Sequence, residues 1–515
     1  MDYYILTFLF VIVYLIYIYL KNNYSYFERL EIPYLSGWPI LGSLTGPILR
    51  RKHMTQVFQE LYDLDSDAKY VGAFNFTKPV FVIRDLELIK NITIKNFDYF
   101  PDHNPIGDES LDPLFGGNLF NLKGQRWKDS RTVLSSSFTS SKMKMMFGLM
   151  VDCADDFVGF IDKQPSEKLK IVDTKDLFGR YTTNVIASCA FGIQIDSLRN
   201  PTNKFFVLSK KAAIIGPLLG LKIIVSRVFP GIMKALKIRL FSKELSDFFT
   251  DVISETVKTR DDNGITRPDM LQLMMDARKL DEKNVKFDIN GMTCQAFVFF
   301  FAGFDTTTSV LCAFAHELAL HHNVQSKLQE EIDGIIKETN GKPTYEAIAG
   351  MQYLDAAFHE TVRLHGQASF LDRVCKIPFE LPPALPGGKP IMLRPGSTIW
   401  IPAAAIHRDP KHYANPNQFD PDRYYGKKIT INDATTLGFG IGPRSCIGNR
   451  FAILEIKILL FHLLSKYTLC ANEKTCAPFK YSKKTFSIQP DGGFWLSIIP
   501  RNSTAILHNT NPEQP

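Results

Sequence analysis

Near the C-terminus the chain reads Phe439-Gly440-Ile441-Gly442-Pro443-Arg444-Ser445-Cys446-Ile447-Gly448, and a helix-like run, Asn449 to Leu464, follows at once. This segment constrains the fold more than any other. Its glycines loosen a loop that delivers one thiol to a helix N-terminus, where backbone N–H groups point outward and the dipole favours negative charge. A thiol there is easily held as thiolate, and a metal would deprotonate it outright. Gly442 and Gly448 let backbone lie close against a flat object, and Arg444 offers a cation to a carboxylate. Taken alone, the same residue is also compatible with an inert buried cysteine.

The rest of the composition excludes simpler classes. The eight cysteines are widely spaced, with no C-x-x-C pair among them, so a disulfide scaffold or zinc ribbon is not expected. Net charge is +7 over 515 residues, too weak to argue for nucleic acid. Hydrophobic residues at 45% support a large core and exclude bulk disorder.

Tyr3 to Leu20 is almost entirely apolar, and about eighteen residues at ~1.5 Å each cross roughly one bilayer core. Asp2 precedes the run and no small-x-small cleavage site follows, so residues 1–20 are expected to be a retained transmembrane anchor. Lys21 and Arg29 on the far flank place the remainder in the cytosol. The sequons at Asn75, Asn91 and Asn502 are then expected to stay unglycosylated. Residues 21–42, with Pro33 and Pro39, read as a stiff linker or hinge, and residues 43–515 as one catalytic domain.

Along that body, Tyr70 to Phe76 and Val80 to Ile83 read as strands. Apolar spacing predicts helices near 85–95, 142–162, 174–191, 243–259, 289–321, 323–339, 350–365 and 447–467, with Asp288 or Asn290 capping the long one. Residues 376–435 are expected to be irregular with short strands. Thr485 to Ile488 and Phe494 to Ile498 flank Pro490-Asp491-Gly492-Gly493, a hairpin pattern, and 501–515 reads as a frayed tail. Motifs scattered from 127 to 448 work together only in one globule.

In the long apolar helix stands Ala302-Gly303-Phe304-Asp305-Thr306-Thr307. A buried Asp beside hydroxyls is costly unless paired or functional. Ala302 and Thr306 share one face, and Gly303 with the threonines can loosen the helical ladder. Glu360 and Arg363 lie i,i+3 on an apolar helix. Pro421-Asp422-Arg423-Tyr424 and the Trp127/Arg131 pair complete the set.

Phe439, Gly442, Arg444, Cys446 and Gly448 match F-x-x-G-x-R-x-C-x-G, and the chain resembles the haem-thiolate monooxygenases, the cytochromes P-450. The segment at 302–307 resembles that family's oxygen-activation motif, and 360–363 with 421–424 resemble its E-x-x-R and P-E/D-R-F/Y. The resemblance implies a mainly α fold with a small β part, built around haem b. It implies Cys446 as axial thiolate and metal ligand. Thr306 and Asp305 are the implied catalytic pair, for oxygen binding and proton relay. Trp127, Arg131, Arg373 and Arg444 are implied at the propionates, with Phe439 and Ala302 also against the cofactor. Glu360, Arg363 and Arg423 are implied to be structural.

Further implications concern partners and place. Monooxygenation would draw electrons from NADPH through a flavoprotein reductase, since the chain has no G-x-G-x-x-G of its own, with cytochrome b5 as a second donor. The reductase would dock on Lys123, Arg126, Lys128, Arg131, Arg450 and Lys457. Nucleic acid is not an expected partner. A hydrophobic substrate would meet Asp102 to Phe120, Phe300 to Thr306, Ala368 to Leu371 and Phe486. The basic amphipathic stretch Ala212 to Leu240 would lie on membrane lipid. Asp98 to Pro101, Gly124 to Lys128 and Ser141 to Met143 resemble the insect microsomal detoxification branch, implying the endoplasmic reticulum membrane and xenobiotic, plant-toxin, insecticide or lipid-like substrates. Two rival classes remain at this point: a haem-thiolate isomerase or lyase acting on peroxides, and a non-enzymatic haem sensor or carrier. One departure stands out. Where the family often has Tyr-Pro-Pro after E-x-x-R, this chain has His365-Gly366-Gln367.

Overall fold

The computed structural model describes residues 2–104, 109–213, 217–279, 287–427 and 434–501. The sequon at Asn502 and the expected tail from 502 onward lie outside the described residues.

Helices dominate, and they gather around Ile289–Leu320. Asp288 caps that helix, its carboxylate accepting from the Gly291 N–H at 2.7 Å. The helix is apolar and long enough to cross a membrane by length and composition. However, 67% of its most apolar stretch is buried inside the protein, which makes it a core helix. Around it pack Thr174–Ile186, Lys243–Asn263, Gln352–His365 and Asn449–Lys466, with Ser140–Asp162 against Thr174–Ile186 and Asn449–Lys466. The helix starting at Leu86 and the one starting at Thr174 each end in a π turn, Asn91–Lys95 and Ala187–Phe191.

Nine strands are described: β1 (Tyr70–Asn75), β2 (Lys78–Ile83), β3 (Val172–Asp173), β4 (Leu371–Val374), β5 (Phe379–Leu381), β6 (Ile391–Leu393), β7 (Thr398–Ile401), β8 (Tyr467–Cys470) and β9 (Trp495–Pro500). The main sheet runs β1-β2-β7-β4, with β2 and β7 parallel and the other pairs antiparallel. Strand β4 carries Arg373, so this sheet sets where that guanidinium enters the interior.

Two expectations fail here. The hairpin does not form: β9 pairs with β8 and β3, while Thr485 to Ile488 makes no strand. Gly492 and Gly493 do turn the chain with positive φ. But the apolar residues of β9 bury themselves against strands far away in sequence. The stiff spacer over 21–42 is also different. Phe27 is fully buried, its ring 5.3 Å from both Phe74 and Phe81, and Pro33 O accepts from the Gly72 N–H at 2.8 Å. Gly72 has to be glycine, because a Cβ there would lie 2.4 Å from the Phe27 ring. The segment is therefore laid on β1 as part of the body.

Candidate functional site

The cysteine loop is bent by two glycines in the left-handed region, Gly440 at φ +77° and Gly442 at φ +73°. A Cβ on Gly442 would lie 2.2 Å from the Thr93 carbonyl, so this glycine serves a close approach to the π turn. The Cys446 N–H donates to Phe439 O at 2.8 Å, and Ser445 N–H to Gly442 O at 2.9 Å, closing the loop just before Asn449–Lys466. Phe439 stacks on Phe358 with centroids 6.1 Å apart, bracing the loop on Gln352–His365. Cys446 has exposed surface, yet its sulfur sits deep in the fold. Burial raises the thiol pKa and outweighs the Gly448 N–H and the Arg131 charge, which lower it.

Three guanidiniums surround this loop. Arg131, one turn beyond Trp127 on Gly124–Ser135, donates to Ser445 O at 2.9 Å. Arg373 donates to Ile441 O at 3.3 Å and to Asp372 O at 2.7 Å, while its buried Nε has no partner. Arg444 lies 3.9 Å over the buried Trp127 ring. It donates to Pro101 O, Leu119 O, Leu122 O and the Asp102 carboxylate, leaving one N–H to spare. Burial, followed by the neighbouring charges of Arg373 and Arg131, brings Arg444 down to about 10, against the pull of Asp102. Burial likewise brings Arg373 down to about 10.

Such crowding of cations is unfavourable without further anions. Of the nearby carboxylates, Asp102 already pairs with Arg444, and Asp372 accepts from His103 at 2.8 Å and from the Asn104 N–H at 2.7 Å. The residues present thus fit a haem, with one soft sulfur donor, three guanidiniums for two propionates, and an orphaned Nε among them.

On the long helix, Ala302 and Thr306 are exposed on one face while Phe300 and Phe304 are buried. Phe300 belongs to a ring cluster with Phe205 and Phe249, so it is core and not pocket wall as the sequence suggested. Phe301 instead meets Phe115 and Phe241 edge-on. Thr306 Oγ1 donates to Ala302 O, occupying the carbonyl four residues back. Asp305 is held at both oxygens. Lys175 Nζ lies 2.7 Å from Oδ1, and Ser487 Oγ donates to Oδ2 at 2.6 Å. Lys175 also donates to Ser309 Oγ. Sequence reasoning missed Lys175 and Ser487, which stand 130 and 182 positions from Asp305 with no local pattern announcing them.

Behind the loop, Glu360 is fully buried and takes both arms of Arg363 at 2.7 Å. Arg363 also donates to His407 O, Pro416 O and Gln418 O, and Arg423 Nε reaches Glu360 at 3.2 Å. His407 completes the brace, since its Nε2 accepts from Leu437 N–H at 2.8 Å at the entry to the cysteine loop. None of these three charged residues approaches the Ala302–Thr306 face through a hydrogen bond.

The basic surface is smaller than its sequence suggested. Lys457 is buried and pairs with Asp355 at 2.8 Å, because the apolar helix around it faces the core. Arg126 pairs with Glu109 and Lys128 with Asp98. Arg131 turns inward to Ser445. Lys123 and Arg450 remain exposed.

The sequence model described as Cytochrome P450 matches residues 32–496. Cytochrome P450 9e2 of Blattella germanica is 42% identical over 509 residues, covering 93% of this chain and 95% of that one. The probable cytochrome P450 9f2 of Drosophila melanogaster is 36% identical over 95% of this chain and 97% of its own. Cytochrome P450 6a9 of the same fly is 34% identical over 93% and 95%. With that likeness running from end to end of a mainly helical fold, the chain belongs to the cytochrome P450 family, the haem-b monooxygenases.

Proposed function

We propose that this monooxygenase inserts one oxygen atom into a hydrophobic small molecule, with Cys446 as the axial thiolate and electrons reaching it from NADPH through a separate flavoprotein reductase. The observation that carries this reading is that Arg131 and Arg373 donate to the loop that bears Cys446, beside that loop's own Arg444. When bound, haem supplies dioxygen activation, which the strongly donating sulfur favours. The chain's own residues do the rest. Trp127 and the three arginines would anchor the propionates, and Phe439 and Ala302 would lie against the ring. Thr306 offers its hydroxyl on the exposed face of the long helix, and Asp305 moves protons toward it. Glu360, Arg363 and Arg423 hold the loop from behind without entering the chemistry.

Placement at a membrane has its own support. The helix Asp2–Tyr24 exposes Tyr3, Tyr4, Phe8, Phe10 and Tyr14, and at ~1.5 Å per residue it is long enough for a bilayer core. Further along, Leu221, Phe229, Ile232 and Leu236 stand exposed beside Lys222, Lys234 and Lys237. Both features suit a protein anchored in the endoplasmic reticulum with its body on the cytosolic face and substrate entering from lipid. Insecticides, plant toxins and lipid-like compounds are the substrate classes that suit the apolar, phenylalanine-rich surroundings of Phe301.

The test is turnover. The full chain, reconstituted with reductase in vesicles, is screened against lipophilic compounds for NADPH consumption and oxygenated product. Product that requires both NADPH and reductase supports the reading. Rearrangement of a peroxide without either would replace it with isomerase or lyase chemistry. Lys123→Glu and Arg450→Glu test the docking side: each is expected to slow reduction more than Lys128→Glu, whose charge Asp98 already meets.

A further inference from the structure

His365 ends the Glu360/Arg363 helix and Gly366-Gln367 follow it, and in this structure the three tie that helix to the segment bearing Asp305. The Gln367 amide grips one residue of the C-terminal loop from both sides. Its Oε1 accepts from Ile488 N–H at 3.0 Å, and its Nε2 donates to Ile488 O at 3.4 Å and to His365 O at 3.1 Å. Ile488 itself is fully buried. The neighbouring residue is Ser487, whose hydroxyl donates to Asp305 Oδ2 at 2.6 Å. On the other side, His365 Nε2 lies 2.7 Å from Glu317 Oε1, twelve residues beyond Asp305 on the same long helix. The contacts therefore form a closed ring that leaves the long helix at Asp305 and returns to it at Glu317.

This ring fixes one carboxylate oxygen independently of the other. Lys175 holds only Oδ1, so with that partner alone the carboxylate is free to turn about the one contact. Paired in that way it is poorly placed to hand a proton on. The Ser487 hydroxyl keeps Oδ2 turned toward the C-terminal loop, and Gln367 keeps Ser487 in place. A hydroxyl also accepts while it donates, so Ser487, partly exposed, can pass a proton from solvent to Asp305 after Asp305 has given one up. The proton count balances, since one leaves the carboxyl inward and one returns from water. Phe486, next to Ser487, is 42% exposed, so the residue beside this contact is open to whatever meets the loop.

We propose that Ser487, clamped through Ile488 by Gln367, is a positioning residue that sets the Asp305 carboxylate for proton delivery. This rests on the reading of Asp305 as the proton carrier.

The experiment uses full-length holoenzyme with reductase in phosphatidylcholine vesicles, without added substrate. NADPH-driven oxygen consumption is measured in H2O and D2O, together with the share of oxygen recovered as peroxide and not as water. Ser487→Ala is expected to lower water formation about threefold or more and to raise the solvent isotope effect. Ser487→Thr, which keeps the hydroxyl, is expected to restore both, and Gln367→Ala to move both in the direction of Ser487→Ala. In an Asp305→Asn background, Ser487→Ala is expected to add nothing. If Asp305→Asn shifts both readouts and Ser487→Ala shifts neither, the positioning role is overturned while Asp305 stands. If Ser487→Thr moves them as much as Ser487→Ala, loop packing is the cause and the inference fails. If Asp305→Asn itself changes nothing, the reading of Asp305 fails and this one falls with it. Haem content of every variant, read from its absorption spectrum, separates these outcomes from loss of fold.

Discussion

Glu360 and Arg363 face each other across two parallel hydrogen bonds of 2.7 Å, both side chains out of contact with solvent. Arg363 goes on to bind His407 O, and the His407 ring receives the Leu437 N–H three residues before Gly440. A buried ion pair is costly to assemble, but once its groups are fully satisfied it holds a unique geometry. Here that geometry is the entry to the cysteine loop.

Removing one partner leaves the other charged and buried. Glu360→Gln is expected to destabilise the fold by about 3–5 kcal/mol. Thermal unfolding of the holoprotein checks this, as does haem retention, which is expected to fall with the loss of the brace. An exposed control such as Lys144→Ala, opposite Glu346, is expected to change stability by less than about 1 kcal/mol.

Thr306 places a hydroxyl on the exposed face four residues after Ala302. Thr306→Ala keeps the helix and the cysteine loop, so haem content is expected to match the parent. Product per NADPH is expected to fall about tenfold, with the missing electrons recovered as peroxide. Product yield equal to that of the parent would remove Thr306 from the reaction.

Two buried histidines contribute to the loss of stability in acid. Burial lowers His407 to about 3, helped by Arg363 and Arg408, and lowers His316 to about 4 against the pull of Glu317. Both folded-state values lie below the ordinary 6.5, so between roughly pH 6.5 and 4 the unfolded chain binds more protons than the folded one. The contribution of these two histidines is therefore full above about pH 6.5 and falls as pH drops. At pH 5 each histidine removes roughly 2 kcal/mol. Denaturant titrations at pH 7.5 and pH 5 measure this, and His316→Phe is expected to flatten its share of the slope.

The long helices were legible because each carries its own evidence, whereas shorter ones such as Met54–Tyr62 and Met270–Lys279 were not. Asp288 caps the long one, and apolar residues recur along Gln352–His365 at helical spacing, so local sequence and tertiary burial agree. Legibility fails where a partner is remote. Lys457 reads as a surface charge until the fold brings Asp355 against it. Phe27 sits in a polar-looking segment, and nothing nearby says that β1 will present Gly72 to its ring. Thr485 to Ile488 alternates like a strand, yet the Gln367 amide and Asp305 bind it where a β partner would. The motif residues 302–307, 360–363 and 439–448 could be named from sequence. The second partners that hold them, Lys175, Ser487 and His407, could not.

The bond between Cys446 sulfur and haem iron is open to one direct measurement. The reduced protein is exposed to carbon monoxide and its Soret band recorded, for the parent chain and for Cys446→Ala. The parent is expected to show the strongly red-shifted band of thiolate ligation, and the variant to lack it. A parent without that band, or a variant that keeps it, would contradict that ligation.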